Sequence, residues 1–83
     1  MADRLSPRMR AVLDALARSE TPLSECDVLH AIPVHMRRAG AGIATTIVAL
    51  ACRGLVRREG GTGSLIPAYR ATDRGRELAR GAA

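Results

Sequence analysis

The sequence has no phenylalanine, no tryptophan and no lysine, and Tyr69 is its only aromatic residue. Without large rings, a core must be assembled from Leu, Ile, Val, Ala and Met. Over 83 residues that core is modest, near the lower size limit for unaided folding, so one domain is expected, and a second copy or a partner would add stability. The two cysteines, Cys26 and Cys52, are too few for a disulfide framework and read as reduced thiols of a cytoplasmic protein. The longest apolar stretch, AGAGIATTIVALAC, is too short and too polar to cross a bilayer. The opening MADRLSPRMR lacks the apolar segment of a secretory leader. Enzyme chemistry finds no foothold either. There is no paired-carboxylate motif and no nucleophile elbow, and GGTGS is not followed by the Lys-Ser/Thr of a phosphate-binding loop. No enzymatic activity, cofactor or membrane partner is therefore expected.

What the chain has in excess is arginine. All 13 basic residues are arginine, against 8 acidic ones, for a net charge of +5 and a pI near 11.0. Exclusive use of arginine points to the coding bias of a GC-rich genome. Its physical consequence is independent of that origin: a planar guanidinium forks onto phosphates and guanine edges better than an ammonium does. The balance favours an acidic partner such as nucleic acid or anionic lipid. A merely solvated basic surface would show the same balance.

Ser6-Pro7 is a helix start, and Met9, Val12, Leu13 and Leu16 follow at i, i+3, i+4, i+7. This helix should end near Ser19, ahead of Thr21-Pro22. Ser24 opens a second helix, with Asp27 completing a capping-box pattern. Val28, Leu29 and Ile32 form its buried side, and Pro33 stops it. PVHMRRAGAG reads as a connection. A third helix is predicted over about 41–53, with Ile43, Ile47 and Leu50 inward and Gly42, Thr45, Thr46, Ala49 and Arg53 away from that stripe. Gly54 suits the left-handed residue that ends a helix. LVRRE then reads as a strand, GGTG as a hairpin tip, and SLIPAYRA as the returning strand. Pro67 lacks a backbone donor, which predicts a short or edge strand. Thr72 caps a last helix, DRGRELAR, which Gly75 should weaken by up to about 1 kcal/mol.

The order helix, helix, helix, strand, glycine turn, strand, helix resembles a winged helix-turn-helix domain over residues 6–80. Two stretches carry the resemblance. LACRGLVRRE (Leu50–Glu59) is similar to the end of the recognition helix running into the wing in MarR-like and PadR-like bacterial regulators. YRATDRGREL (Tyr69–Leu78) is similar to the Tyr-x-Leu-Thr-x-x-Gly-Arg pattern that leaves the wing there, with Ala71 where Leu is usual. The spacing of helices two and three also resembles the DNA-binding half of ferric-uptake-type regulators, but no dimerisation or metal domain follows. The resemblance implies an α+β, mostly helical fold: three helices, a two-stranded β-hairpin wing and a short C-terminal helix. It further implies a third helix in the major groove and a wing over the backbone or minor groove. A last helix of about eight residues is short beside the dimerisation helix of MarR-like proteins, so any homodimer should use another surface, such as helix one.

On that reading the DNA-contacting residues are Arg37 and Arg38 before helix three, then Gly42, Ala44, Thr45, Thr46, Ala49 and Arg53 on it. In the wing (about 55–71) they are Arg57, Arg58, Thr62, Ser64 and Arg70. Recognition helices usually expose Arg, Lys, Gln, Asn or Ser to base edges, whereas this one exposes Gly, Ala and Thr. Either specificity comes mainly from the arginines, the wing and DNA shape, or the small-residue face packs against a protein partner. The expected function is sequence-specific binding of double-stranded DNA by a small transcriptional regulator of a GC-rich bacterium or its phage. The alternatives are a winged-helix protein–protein module with little DNA affinity, and an architectural or recombination-directionality factor. Cys26, His30, His35 and Cys52 are metal-capable, and Cys26 and His30 lie at i, i+4. Nothing in the sequence brings four ligands together, so no metal is expected.

Overall fold

A computed structural model describes residues 4–37, 42–59 and 66–81. The first helix, α1 (Pro7–Arg18), begins where the Met9 N–H donates to Ser6 Oγ over 3.2 Å, with Pro7 in the first turn. Next comes a two-residue strand, β1 (Leu23–Ser24), and then α2 (Glu25–Ala31). The capping box at α2 is complete: the Asp27 N–H donates to Ser24 Oγ (3.2 Å), and the Ser24 N–H donates to Asp27 Oδ2 (3.3 Å). After Pro33, Val34–Met36 forms a single 3-10 turn. Helix α3 (Ile43–Cys52) follows, then β2 (Val56–Arg58), β3 (Ala68–Ala71) and α4 (Asp73–Ala79).

The core has the composition that the missing rings dictate. Val12, Leu13, Ala15 and Leu16 from α1 meet Val28 and Ile32, then Ile43, Ile47 and Leu50 from α3, with Leu55, Val56 and Ala71 closing the sheet side. Helix α1 is the hub, packing on α2, α3, α4 and β3. Met9 and Leu29 lie half-buried at its rim.

Strand β3 is short, as expected, at four residues (Ala68–Ala71), but it is central and not an edge: the sheet order is β1-β3-β2, all antiparallel, with Leu23 opposite Tyr69 and Val56 opposite Ala71. Pro67 is compatible with this because it precedes the strand and takes no place in the ladder. Thr46 is not a surface residue but is buried on α3. Ile43, Thr46, Ile47 and Leu50 form the full i, i+3, i+4, i+7 stripe, and the Thr46 hydroxyl is accommodated because it donates to the Gly42 carbonyl (2.6 Å).

Helix α3 ends as expected, on Gly54 at φ +74°. A methyl group there would meet no atom within 4 Å, so the penalty for a side chain is conformational only. Gly54→Ala is expected to lower stability by about 1 kcal/mol, read from urea unfolding.

Helix α4 is clamped to the end of this turn. The Thr72 N–H donates to the Leu55 carbonyl (3.0 Å). The Thr72 hydroxyl donates to the Gly54 carbonyl (2.7 Å) and accepts from the Gly75 N–H (3.1 Å). Gly75, three residues into α4, then lies directly against the Leu55 carbonyl, where a Cβ would overlap the oxygen.

Candidate nucleic-acid interface

Helix α3 turns one face to the core and the other to solvent. The outer face carries Ala44, Thr45, Val48, Ala51 and Cys52, with Ala49 at its margin and Arg53 exposed beyond its last turn. Ala44, Thr45, Ala49 and Arg53 thus lie where the helical periodicity puts them, and Gly42 is the residue before the helix. Val48 is an addition to that set. It is 59% exposed, one turn after Ala44, in the middle of this face.

The arginines around α3 are not equivalent. Arg37 is half-buried and turned inward: its Nη2 donates to the His30 carbonyl (2.9 Å) and its Nε to the Ile32 carbonyl (3.2 Å). It therefore ties down carbonyls at the end of α2. Arg53 Nη1 donates to the Arg4 carbonyl (2.9 Å) while its side chain remains exposed. Arg8 on α1, off the apolar stripe, reaches the Met36 carbonyl through Nη2 (3.2 Å). Its guanidinium lies over Gly42, in space that a side chain at that position would fill. No local signal in the sequence announces this approach, because its residues are far apart in the chain.

In the wing, Arg57 and Arg70 stand directly opposite on β2 and β3. Like charges so placed repel, and Glu59 relieves the repulsion. Its Oε2 is 3.1 Å from Arg57 Nη2, and its Oε1 is 3.4 Å from Arg70 Nε. The second contact is a charge attraction without hydrogen-bond alignment. Arg70 Nη2 also donates to the Glu20 carbonyl (3.2 Å). Arg58 pairs with Tyr69 on the other face of the ladder and is exposed, with no ion pair among the described residues. Arg38, Thr62 and Ser64 lie outside the described residues, as does the GGTG tip.

The distribution of acidic residues is as telling as that of the arginines. From Val28 to Arg58 the chain carries no Asp or Glu, but it carries Arg37, Arg38, Arg53, Arg57 and Arg58. Carboxylates are confined to α1 and its flanks, the start of α2, the wing at Glu59, and α4.

The other chemistry is sparse. Cys26 Sγ and His30 Nδ1 are 3.7 Å apart on α2, and that nitrogen is also 2.8 Å from the Cys26 carbonyl. Cys26, His30, His35 and Cys52 are all exposed. No group of three or more His, Cys, Asp or Glu that could hold a metal occurs among the described residues. No helix among them is long and apolar enough to cross a membrane.

This arrangement of helices and sheet superposes on solved structures. The fold is a winged helix. A possible HxlR family transcriptional factor from Thermoplasma volcanium superposes with a TM-score of 0.74 over 92% of this chain, at 21% identity. The E41A mutant of ZitR from Lactococcus lactis superposes with a TM-score of 0.77 over 99% of this chain, at 14% identity. The chain spans 64% of the first protein's length and 53% of the second's. No family model matches the chain, and no curated protein matches it significantly. In winged-helix terms, α3 occupies the position of the recognition helix and β2–β3 that of the wing.

Proposed function

We propose that this winged helix binds double-stranded DNA as a small transcriptional regulator, with α3 in the major groove and the wing over the adjacent backbone. The observation that carries the reading is the stretch from Val28 to Arg58, which contains all of α3 and carries five arginines and no Asp or Glu. A polyanion fits that distribution, and carboxylates there would repel it. The fold supports the reading, since the Thermoplasma volcanium neighbour is a possible HxlR family transcriptional factor. The absence of lysine favours a GC-rich bacterium or its phage as the source. Arg58 and Arg53 are exposed and outside the ion pairs of the described residues, which supports them as phosphate contacts. Arg37 acts instead by holding the end of α2, and Glu59 partly neutralises Arg57 and Arg70.

A protein-docking winged helix is the competing reading, favoured by the uncharged outer face of α3. One experiment separates them. Binding to fragmented genomic DNA should weaken with salt, with a log–log slope of about −0.9 per phosphate neutralised. Replacing both Arg38 and Arg58 by Ala should weaken binding to all sequences and shrink the slope by about one for each phosphate no longer neutralised. A docking module would instead ignore the arginine pair, because charges at a rim contribute little. It would lose its partner when Ala44 or Ala49 is replaced by a bulky residue. No binding at low salt, or an unchanged slope in the double mutant, refutes the DNA reading or its arginine mechanism respectively.

A further inference from the structure

We infer that α3 selects thymine through its C5-methyl group, with Val48 as the residue that determines the preference. The inference deepens the DNA-binding reading and rests on it. Ala44, Thr45, Val48 and Cys52 are exposed on the face that would enter the groove, and none of them is an amide, a guanidinium or a carboxylate. Val48 is the largest of them, 59% exposed, and sits in the middle of α3.

The major groove offers mostly donors and acceptors to such a face. Guanine presents N7 and O6, adenine N7 and an amine, and cytosine an amine, while thymine alone adds an apolar group, its C5-methyl. An isopropyl side chain cannot pair with the polar edges. Pressed against them, it removes their water and returns nothing. Against the thymine methyl it gains apolar burial on both sides. Val48 therefore acts twice, by attraction to thymine and by penalising cytosine, whose amine would lose its hydration. The exposed Thr45 hydroxyl, three residues before Val48 on the same face, has the donor that thymine O4 needs. The choice of DNA over an apolar protein groove rests on the proposed function: α3 lies within a stretch, Val28 to Arg58, that carries arginines and no carboxylate, with Arg53 and Arg58 exposed.

The test uses deoxyuridine, which keeps the base pair and removes only the methyl. A duplex is first selected from a random-sequence library by the full chain at low salt, and its thymines are then replaced singly by deoxyuridine. At one or two positions the affinity should fall about fourfold, the effect of returning one methyl group to water. Val48→Ala should lower affinity for the thymine duplex by a similar factor and abolish the difference between thymine and deoxyuridine. Arg58→Ala should weaken both duplexes equally and keep the difference. Salt-dependent binding with no deoxyuridine effect at any position would overturn the inference and leave the DNA reading standing. Full sensitivity retained in Val48→Ala would overturn the role of that residue. 5-Methylcytosine recovering full affinity at a sensitive position would overturn the assignment to thymine. A chain that selects no duplex at low salt removes both the DNA reading and the inference.

Discussion

Gly75→Ala is expected to destabilise the domain by about 2 kcal/mol, although in an open helix the same change would stabilise it by up to about 1 kcal/mol. The sign reverses because of what lies beside the glycine. A Cβ on Gly75 would overlap the Leu55 carbonyl oxygen and approach Leu13 Cδ1 to 3.2 Å. The carbonyl cannot simply swing away, because it accepts the Thr72 N–H at 3.0 Å. Thr72 is itself held by the Gly54 carbonyl, and its hydroxyl caps α4 at the Gly75 N–H. Relief of the overlap must therefore move α4 off the α3–β2 turn or break its cap. Leu13 is fully buried on α1, so shifting it disturbs the centre of the core. In a domain of this size 2 kcal/mol corresponds to a fall in Tm of roughly 8–16 °C. Thermal unfolding followed by circular dichroism reads it directly. A rise in Tm would show that the close approach is absent and that Gly75 is an ordinary helical glycine.

The same clamp marks the boundary of what is legible in the sequence. Thr72 is readable as a cap and Gly75 as a helix-weakening residue, but their joint purpose is not, because the Leu55 carbonyl is brought there only by tertiary folding. Local signals locate the helices well: Ser6-Pro7, the Ser24–Asp27 box and Gly54 each mark a boundary by chemistry contained within a few residues. Strand β1 escapes a reading by periodicity because two residues, Leu23 and Ser24, are too few to show a period of two. Its pairing with β3 is what makes that strand, expected to be short or an edge, short and central. The same limit applies to the candidate interface. Arginine type and number are visible in the sequence, whereas their engagement is not. Arg37 is turned onto α2 carbonyls, and Arg57 and Arg70 share Glu59. Val48 escapes any search for a recognition surface among polar and small residues. Its spacing of four from Ala44 is the signal that could have found it.

Ile47→Ala is expected to destabilise the domain by roughly 2–5 kcal/mol, while Thr45→Ala should stay within about 0.5 kcal/mol. Ile47 is 2% exposed and is packed with Ile43, Leu50 and the buried side of α1. Its neighbours relax only in part on truncation, so a residual cavity adds to the lost transfer energy. Thr45 is exposed, and no hydrogen bond ties its side chain among the described residues. Thr46 separates the true phase of α3 from the one that treats it as surface. Its hydroxyl donates to the Gly42 carbonyl, which also accepts the Thr46 N–H at 2.8 Å. Thr46→Ala leaves that carbonyl with a partner and removes one buried hydrogen bond and a methyl, a loss of about 1–2 kcal/mol. The expected ranking in urea unfolding is therefore Ile47 above Thr46 above Thr45. Equal losses at Ile47 and Thr45, or none at Thr46, would mean that α3 is rotated from the orientation described. On the proposed DNA-binding reading, the ranking inverts at the DNA. Among folded molecules, Thr45→Ala alters the preference between sequences, while Ile47→Ala lowers the folded fraction and leaves the preference of the remainder unchanged.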